Sequence, residues 1–532
     1  MLKILVSDAL STEGLDYLRR YGEVDFKPDI TPDQLVAEIG AYDALVVRSR
    51  TKANAEVIEA AENLKVIGRA GVGVDNIDVD KATEKGIIVV NAPGGNTISA
   101  AEHAIALLTS LARNIAVANS SVKRGEWKRS DHIGVELNHK VLGVVGLGRI
   151  GSEVARRARA MGMKIVGYDP YISEEQAEKL GVEMADFESL IRQADFITLH
   201  LPLGSSTHHL IGEKEIAMFK PGVRIVNCAR GGLIDEDALY AALKDGRVAG
   251  AALDVFEQEP PEDCRLLELD NVIATPHLGA LTREAQVNVA RQVSEQVIKA
   301  LQGDPIVSAV NVPALMPEAR EALEPFLPLM RVMGSFYLQM FGGSVDEIEL
   351  TYSGEIAAMP LAPMTISCLI GFLRHVVGDG VNWVNAPYIA KARGITVKES
   401  STTEAKNYNN LITLTARSGS EEHHLSGTLL NNEMRIVRVD EYRIEIIPSR
   451  YMLVTTHHDR PGVVGKIGTL LGSESVNIAS MQLGRKTAGG EAMMVLQVDE
   501  EMNEHTLEKV KGLDVIDTAR FVEMQNSIFR VE

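Results

Sequence analysis

The sequence predicts an α/β protein: two Rossmann-like, doubly wound parallel-sheet domains, then an α+β intervening domain and a C-terminal ferredoxin-like α+β domain. Three observations carry this. Residues 1–97 alternate apolar strand patterns with amphipathic helix patterns. Lys140–Pro170 reads strand, glycine turn, helix, strand, acid. Residues 451–532 read strand, turn, helix, strand, strand, helix, strand.

At 532 residues the chain is too long for one core. The expected division is 1–97 with 283–312 as a substrate-binding domain, 98–282 as a nucleotide-binding domain, 313–450 as the intervening domain and 451–532 as the terminal one. A hydrophobic share of 45% and a charged share of 24% are ordinary for a globular protein. The net charge of −19 argues against nucleic-acid or anionic-membrane partners over a broad surface. Lys3 and Asp8 interrupt the first apolar run, which reads as a strand and not a signal peptide. No apolar run is long enough to span a bilayer. Cys228, Cys264 and Cys368 are far apart and form no metal-ligand set; the expectation is a reduced, cytoplasmic protein with no metal.

In the first unit LKILVSD, ALVVRS and LKVIGRAG read as strands, with Thr31–Ile39 as a helix between them. Their ends matter, because ligands on such sheets sit at the carboxyl ends of strands. One ends at Arg48–Ser49, where the arginine suits an anion or is simply exposed; another runs into Gly71–Val72–Gly73. A turn at Pro93–Asn96 then leads into a helix from about Ser99 to Arg113, apolar around most of its circumference and so buried in the domain or in a subunit interface. Gly125–Asp131 reads as a polar loop, with Trp127 in a packing role and Lys128 and Arg129 either solvated or holding an anion.

In Lys140–Pro170, Val141–Val145 is a buried strand and Gly146, Gly148 and Gly151 follow it. Gly146 suits the tight turn, Gly148 a close pyrophosphate, and Gly151 close helix packing; the helix N-terminus offers N–H groups to phosphate. Asp169 ends the next strand, where it accepts both adenosine ribose hydroxyls and repels a 2′-phosphate, and no cation follows it. The cofactor expected is therefore NAD.

Further strand–helix repeats follow: Asp195–Leu203, a strand to Asn227 with the turn Cys228–Gly232 and a helix from about Asp235, a strand to about Val255, and NVIATPHLGA. Arg230, Glu259 and His277 each fall in a turn after a strand. Histidine exchanges a proton near neutrality, a carboxylate orients the ring, and arginine offers two prongs to a carboxylate. The set suits oxidation of a 2-hydroxy acid: Arg230 holds the carboxylate and polarises the C2 oxygen, His277 takes the proton, Glu259 stabilises the imidazolium. Each also has an ordinary structural explanation taken alone.

The helix Arg283–Leu301, ended by Gly303, Asp304 and Pro305, is expected to return to the first sheet, with Val310–Pro313 as a linker. In 314–450 the candidates are strands at Asp346–Thr351, Leu411–Ala416 and Tyr442–Ile447 and helices at Thr365–Val377 and Pro387–Arg393; His423 and His424 read as an exposed hairpin and not a metal site.

VGLGRIG, NCARGGLIDEDAL, ALDVFEQEP and TPHLGA together resemble the D-isomer-specific 2-hydroxyacid dehydrogenase family. That resemblance implies catalytic Arg230, Glu259 and His277, and NAD contacts at Gly146, Gly148, Arg149, Ile150, Gly151, Asp169, Thr207, Cys228, Ala229, Asp254 and Gly279. VVRSRT, GRAGVGVDNID and NAPGGNTISAAEH are similar to long members that oxidise D-3-phosphoglycerate in the first step of serine biosynthesis, which implies Arg48, Ser49, Asn96 and Arg129 around a phosphorylated hydroxy acid. Val72 departs from relatives with a polar residue there. HHDRPGVVGKI with VNIASMQL resembles an ACT domain, implying L-serine held by His457, Asp459 and Asn477 between paired modules of a homo-oligomer, usually a tetramer; alternatively, Asp459 caps the following helix and Asn477 is a turn residue. Two other readings stay open: a reductase of glyoxylate, hydroxypyruvate or 2-oxoglutarate, and an NAD-sensing regulatory scaffold.

Overall fold

The computed structural model describes residues 1–303, 306, 308–312, 321–342, 344–378, 380–405 and 407–525. The first sheet has five parallel strands in the order Gly22–Phe26, Leu2–Val6, Ala44–Val47, Val66–Arg69, Ile88–Asn91. Its central strands are buried runs such as ALVV, as expected when helices cover both faces. Local signals set the helix starts: Thr31 and Gln34 form a capping box at the helix Pro32–Glu38.

The second sheet has seven parallel strands, in the order Val272–Ala274, Val248–Leu253, Val223–Asn227, Phe196–Leu199, Val141–Val145, Lys164–Tyr168, Glu183–Met184. The strand order reverses beside Val141–Val145, and such a switch point is where a doubly wound sheet opens its crevice. The helix Thr97–Ala112 carries the chain from the first sheet to the second and buries Ala101, Ala104, Leu107, Leu108 and Leu111.

The chain returns through the helix Arg283–Gln302, capped by the Thr282 side chain and ended by Gly303 at φ +73°. Its Val289, Val293, Val297 and Ile298 join Ile4, Val6, Val46, Val66 and Val90 in one core. Asp304 and Pro305, expected to end it, lie outside the described residues, as does Pro313. The remainder of the expected linker is not a free tether. Val310 N donates to Val89 O, and the Asn311 side chain bonds Val89 N, Ile87 O and Thr83 Oγ1. The sheet's last strand has an open edge, and this segment pairs with it at Val90 and Ala309.

The third sheet is mixed: Thr396–Thr402, Glu347–Gly354, Asn410–Ser418, Glu421–Leu430, Glu433–Val439, Tyr442–Ile446. Helices Phe326–Phe341 and Ala362–Val377 cover it, and their backbones touch. A Cβ on Gly334 would fall 2.1 Å from Cys368 O, and one on Gly371 would fall 2.0 Å from Arg331 O. His423 and His424 lie inside the strand Glu421–Leu430, not in an exposed hairpin. His423 stacks on Phe341 and pairs with Asp440; His424 bonds Thr415 and Glu422.

The fourth sheet is antiparallel, in the order Ile478–Arg485, Glu491–Val498, Tyr451–His458, Thr518–Glu523, with helices Val463–Ser473 and Glu504–Lys511 on one face. This is the ferredoxin-like order. Its other face is not solvated: Met452, Val454, Met493, Val495 and Val522 belong to the same core as the third sheet. Gln339 adds a polar clamp, accepting from Glu523 N and donating to Glu523 O at 2.9 Å each. Among the described residues no helix is long and apolar enough to cross a membrane, and no cluster of His, Cys, Asp and Glu suits a metal ion.

Candidate active site

The carboxyl ends of both parallel sheets carry the polar residues singled out in the sequence. On the first, Asp8 is nearly enclosed and organises the turn after Ala44–Val47. It accepts from Arg48 N, Thr51 N, Thr51 Oγ1 and Arg50 Nε at 2.5–3.2 Å. Arg48 is thereby fixed at the strand end with Nη1 on Ala9 O, and Ser49 is exposed beside it. Asn96 stands at the N-terminus of the helix Thr97–Ala112 without capping it; its Oδ1 is buried and makes no hydrogen bond.

A second guanidinium, overlooked in the sequence, lies here. Arg69 ends the strand Val66–Arg69, and its Nε is buried without a partner. Burial pulls its pKa down to about 10, and the nearby charges of Arg230 and Arg48 pull the same way, against Asp75 and Asp8. The loop Gly71–Val72–Gly73 makes room for both cations. A Cβ on Gly71 would lie 1.4 Å from Arg69 Nη1, and one on Gly73 would lie 1.8 Å from Arg230 Nη2. Val72 contributes its carbonyl, which accepts from Asn91 Nδ2. The signal was available: Arg69 ends its strand as Arg48 follows its own, but the glycines read as an ordinary turn.

Trp127 and Arg129 lie on the segment that follows. Trp127, given a packing role above, is 79% exposed in this chain. Arg129 begins an exposed turn, Arg129–His132, and makes no hydrogen bond or ion pair with the residues above.

On the second sheet, Asn227 bonds Ala229 N and Arg230 O, which shapes the turn presenting Arg230. Arg230 Nη1 donates to Ala229 O at 2.6 Å and Nε to Asp75 Oδ2 at 2.9 Å. His277 Nδ1 lies 2.7 Å from Glu259 Oε2. Burial works to raise the Glu259 carboxyl, but the bond and charge of His277 and the Phe256 N–H hold it below its ordinary range. Nδ1–H is therefore the donor to the carboxylate, and Nε2 is the basic nitrogen. His277 sits at φ +54°, a left-handed conformation costing on the order of 1 kcal/mol. The cost is sustained by Asp254, whose carbonyl accepts from His277 N.

The Asp254 carboxylate is buried and faces this loop. It takes Thr275 Oγ1, Leu278 N and Gly279 N and lies 3.2 Å from His103 Nε2. Its side chain thus holds the TPHLG loop. Gly279 is likewise tied, its carbonyl accepting from Ser99 Oγ. Thr207 Oγ1 donates to Pro202 O and accepts from Gly204 N, closing its own loop. Burial raises the Cys228 thiol and keeps it protonated.

The glycine turn fits a dinucleotide. Gly146 has φ +93°, open only to glycine without strain. No atom lies within 4 Å of a Cβ built on Gly148, and Gly151 leaves 1.9 Å between such a Cβ and Gly146 O. Gly148 caps the helix Arg149–Ala160 with no side chain, so the first-turn N–H groups, with Arg149 and Ile150 flanking them, are not competed for. Asp169 accepts from Leu147 N and Tyr171 N, one bond on each oxygen, which leaves lone pairs for ribose hydroxyls. His200 packs beside this turn with Nε2 on Thr198 Oγ1, and burial holds it neutral, with a pKa near 4.

In the terminal domain His457 is 1% exposed, with Nδ1 unpartnered and its pKa lowered by burial. Asp459 does not cap the next helix. It accepts from Arg485 Nη1 and Gly489 N, and the cap position is Gly462. Asn477 is exposed and donates to Asp499.

A parallel-sheet fold with a dinucleotide turn and an arginine, a glutamate and a histidine on neighbouring strand ends defines an NAD-dependent dehydrogenase. Known proteins agree. The D-isomer specific 2-hydroxyacid dehydrogenase NAD binding domain matches residues 105–279, the D-3-phosphoglycerate dehydrogenase intervening domain 322–440, and the ACT domain 451–515. The D-3-phosphoglycerate dehydrogenase of Methanocaldococcus jannaschii is 50% identical over 96% of this chain and 98% of its own, and that of Bacillus subtilis 43% over 98% and 100%. Among solved structures, D-lactate dehydrogenase from Aquifex aeolicus, complexed with NAD and lactic acid, aligns with a TM-score of 0.53 at 29% identity, covering 59% of this chain and 100% of that one. A glyoxylate reductase from Paecilomyes thermophila gives 0.55 at 34%, covering 58% and 98%. The chain belongs to the D-3-phosphoglycerate dehydrogenase family.

Proposed function

We propose that this protein oxidises D-3-phosphoglycerate to 3-phosphohydroxypyruvate with NAD, the first step of serine biosynthesis. The observation that carries it is the His277–Glu259 pair beside Arg230, on the rim that faces a second group of cations. When bound, NAD supplies the acceptor for the hydrogen leaving C2. Gly146, Gly148, Arg149, Ile150, Gly151 and Asp169 would hold its pyrophosphate and ribose, with Thr207, Cys228, Ala229 and Gly279 along the crevice.

Arg230 binds the substrate carboxylate and polarises the C2 oxygen. His277 Nε2 takes the hydroxyl proton, and Glu259 stabilises the imidazolium that results. Arg48 and Arg69, with Ser49 and Asn96, receive the phosphate. A buried guanidinium with an unpartnered Nε is costly unless an anion completes it, which supports placing the phosphate at Arg69. Arg129 is retained as a further cation for the same substrate.

Residues 1–97 with 283–312 and residues 98–282 form the two lobes of the cleft in this reading; 313–450 and 451–532 form the regulatory half. L-Serine is the proposed effector, with Asp459 for its amino group and His457 and Asn477 beside it. The uncapped first turn of Val463–Ser473 suits its carboxylate. The protein is read as a cytoplasmic homotetramer. Exposed Ile115, Val122, Trp127 and Ile133, all on one segment, support association between copies.

The test is NADH oxidation with phosphohydroxypyruvate, beside glyoxylate, hydroxypyruvate and 2-oxoglutarate, with and without serine. A preference of at least a hundredfold in kcat/KM for the phosphorylated acid, inhibited by serine, is expected. Equal rates on all four acids would remove the phosphate assignment, and indifference to serine would remove the effector.

A further inference from the structure

The catalytic arginine is held from across the cleft. Arg230 follows a strand of the second sheet, whereas Asp75 follows the Gly71–Gly73 loop of the first, 155 residues away. Their bond, Nε to Oδ2 at 2.9 Å, is one of three constraints on the guanidinium. Nη1 is tied to Ala229 O, and Nη2 lies over Gly73, where a side chain would collide with it. A guanidinium can meet a carboxylate through its Nε–Nη2 side or through its Nη1–Nη2 end. Asp75 takes Nε of the first.

We propose that Asp75 is a positioning residue for Arg230, reserving the Nη end for the substrate carboxylate and making the arginine's alignment depend on the two lobes being together. The proposal rests on the assignment of Arg230 to that carboxylate. Stability does not account for the pair: the Asp75 side chain is 58% exposed, and exposed ion pairs contribute little. Substrate binding does not account for it either, because a carboxylate beside a site for a polyanion repels the ligand. Alignment does account for it, since small displacements of a group acting on the reacting atoms cost large factors in rate.

Charge and hydrogen-bond acceptance can be separated. Asp75→Asn keeps an oxygen for Nε–H and removes the repulsion, so kcat should stay within about threefold of the parent while KM for the acid falls. Asp75→Ala removes the acceptor and should lower kcat by about tenfold to a hundredfold. The NADH dissociation constant, followed by fluorescence, should be unchanged in both, which shows that the nucleotide site is intact. A parental kcat in Asp75→Ala, or an equal loss in Asp75→Asn, overturns the proposal. If the parent protein prefers an unphosphorylated 2-oxo acid, the phosphoglycerate reading fails separately. The Asp75 comparison is then run on that acid, which presents the same carboxylate to Arg230.

Discussion

His277 and Glu259 share a hydrogen bond at 2.7 Å although 18 residues separate them, and the Asp254 carbonyl beneath His277 N keeps the ring where the bond can form. Glu259→Gln keeps the shape and removes the charge. We expect kcat for oxidation to fall by about tenfold to a hundredfold, within the range for general acid–base groups. The folded Glu259 carboxyl titrates below its unfolded value. Its stabilising contribution is therefore present above the unfolded value near 4.3 and lost as pH falls through the folded one. Urea unfolding midpoints of parent and Glu259→Gln should accordingly differ at pH 7 and converge once the pH has fallen through the folded Glu259 value.

Arg69 should show binding bought against stability. A base whose folded pKa is lowered from 12.5 to about 10 destabilises the fold wherever it is charged, with relief only as pH rises through 10 to 12.5. Arg69→Met fills similar space without charge. At pH 7 it should raise unfolding stability by about 1–3 kcal/mol and weaken substrate binding by tenfold or more. Thermal unfolding and KM measured on one preparation check both signs.

Asp169 ties the glycine turn to the end of its strand through Leu147 N and Tyr171 N. Asp169→Ala should therefore cost about 1 kcal/mol of stability as well as weakening NAD about tenfold. Calorimetric titration should also show the preference over NADP reduced, because the repelling carboxylate is gone.

Gly371 faces the Arg331 carbonyl across two helices with no room for a methyl group. Gly371→Ala should lower stability by about 1–3 kcal/mol. The loss belongs to residues 321–525, so it should appear as an earlier first unfolding transition while turnover persists.

The parallel sheets were legible because buried strands read as unbroken apolar runs, and Val141–Val145 and Ala44–Val47 are such runs. Arg230, Glu259 and His277 were legible as strand-end residues. Elsewhere the local signal is weak. Phe326–Phe341 is buried around almost its whole circumference, so it has no apolar stripe to betray it. The strand Glu421–Leu430 opens with Glu421, Glu422, His423 and His424, and the two histidines find partners at Asp440 and Thr415, outside this strand. Asp75, Arg69 and Asp8 take their meaning from neighbours far along the chain. Trp127 read as a packing residue in a polar loop, and only the fold reveals its exposure.

The ACT sheet gives its helix-free face to the intervening domain's core, and Gln339 closes the seam at Glu523. A truncation after residue 450 would thus strip the preceding domain and leave it sticky, not simply deregulated. Any displacement of the terminal sheet would likewise disturb the packing of the preceding domain's core.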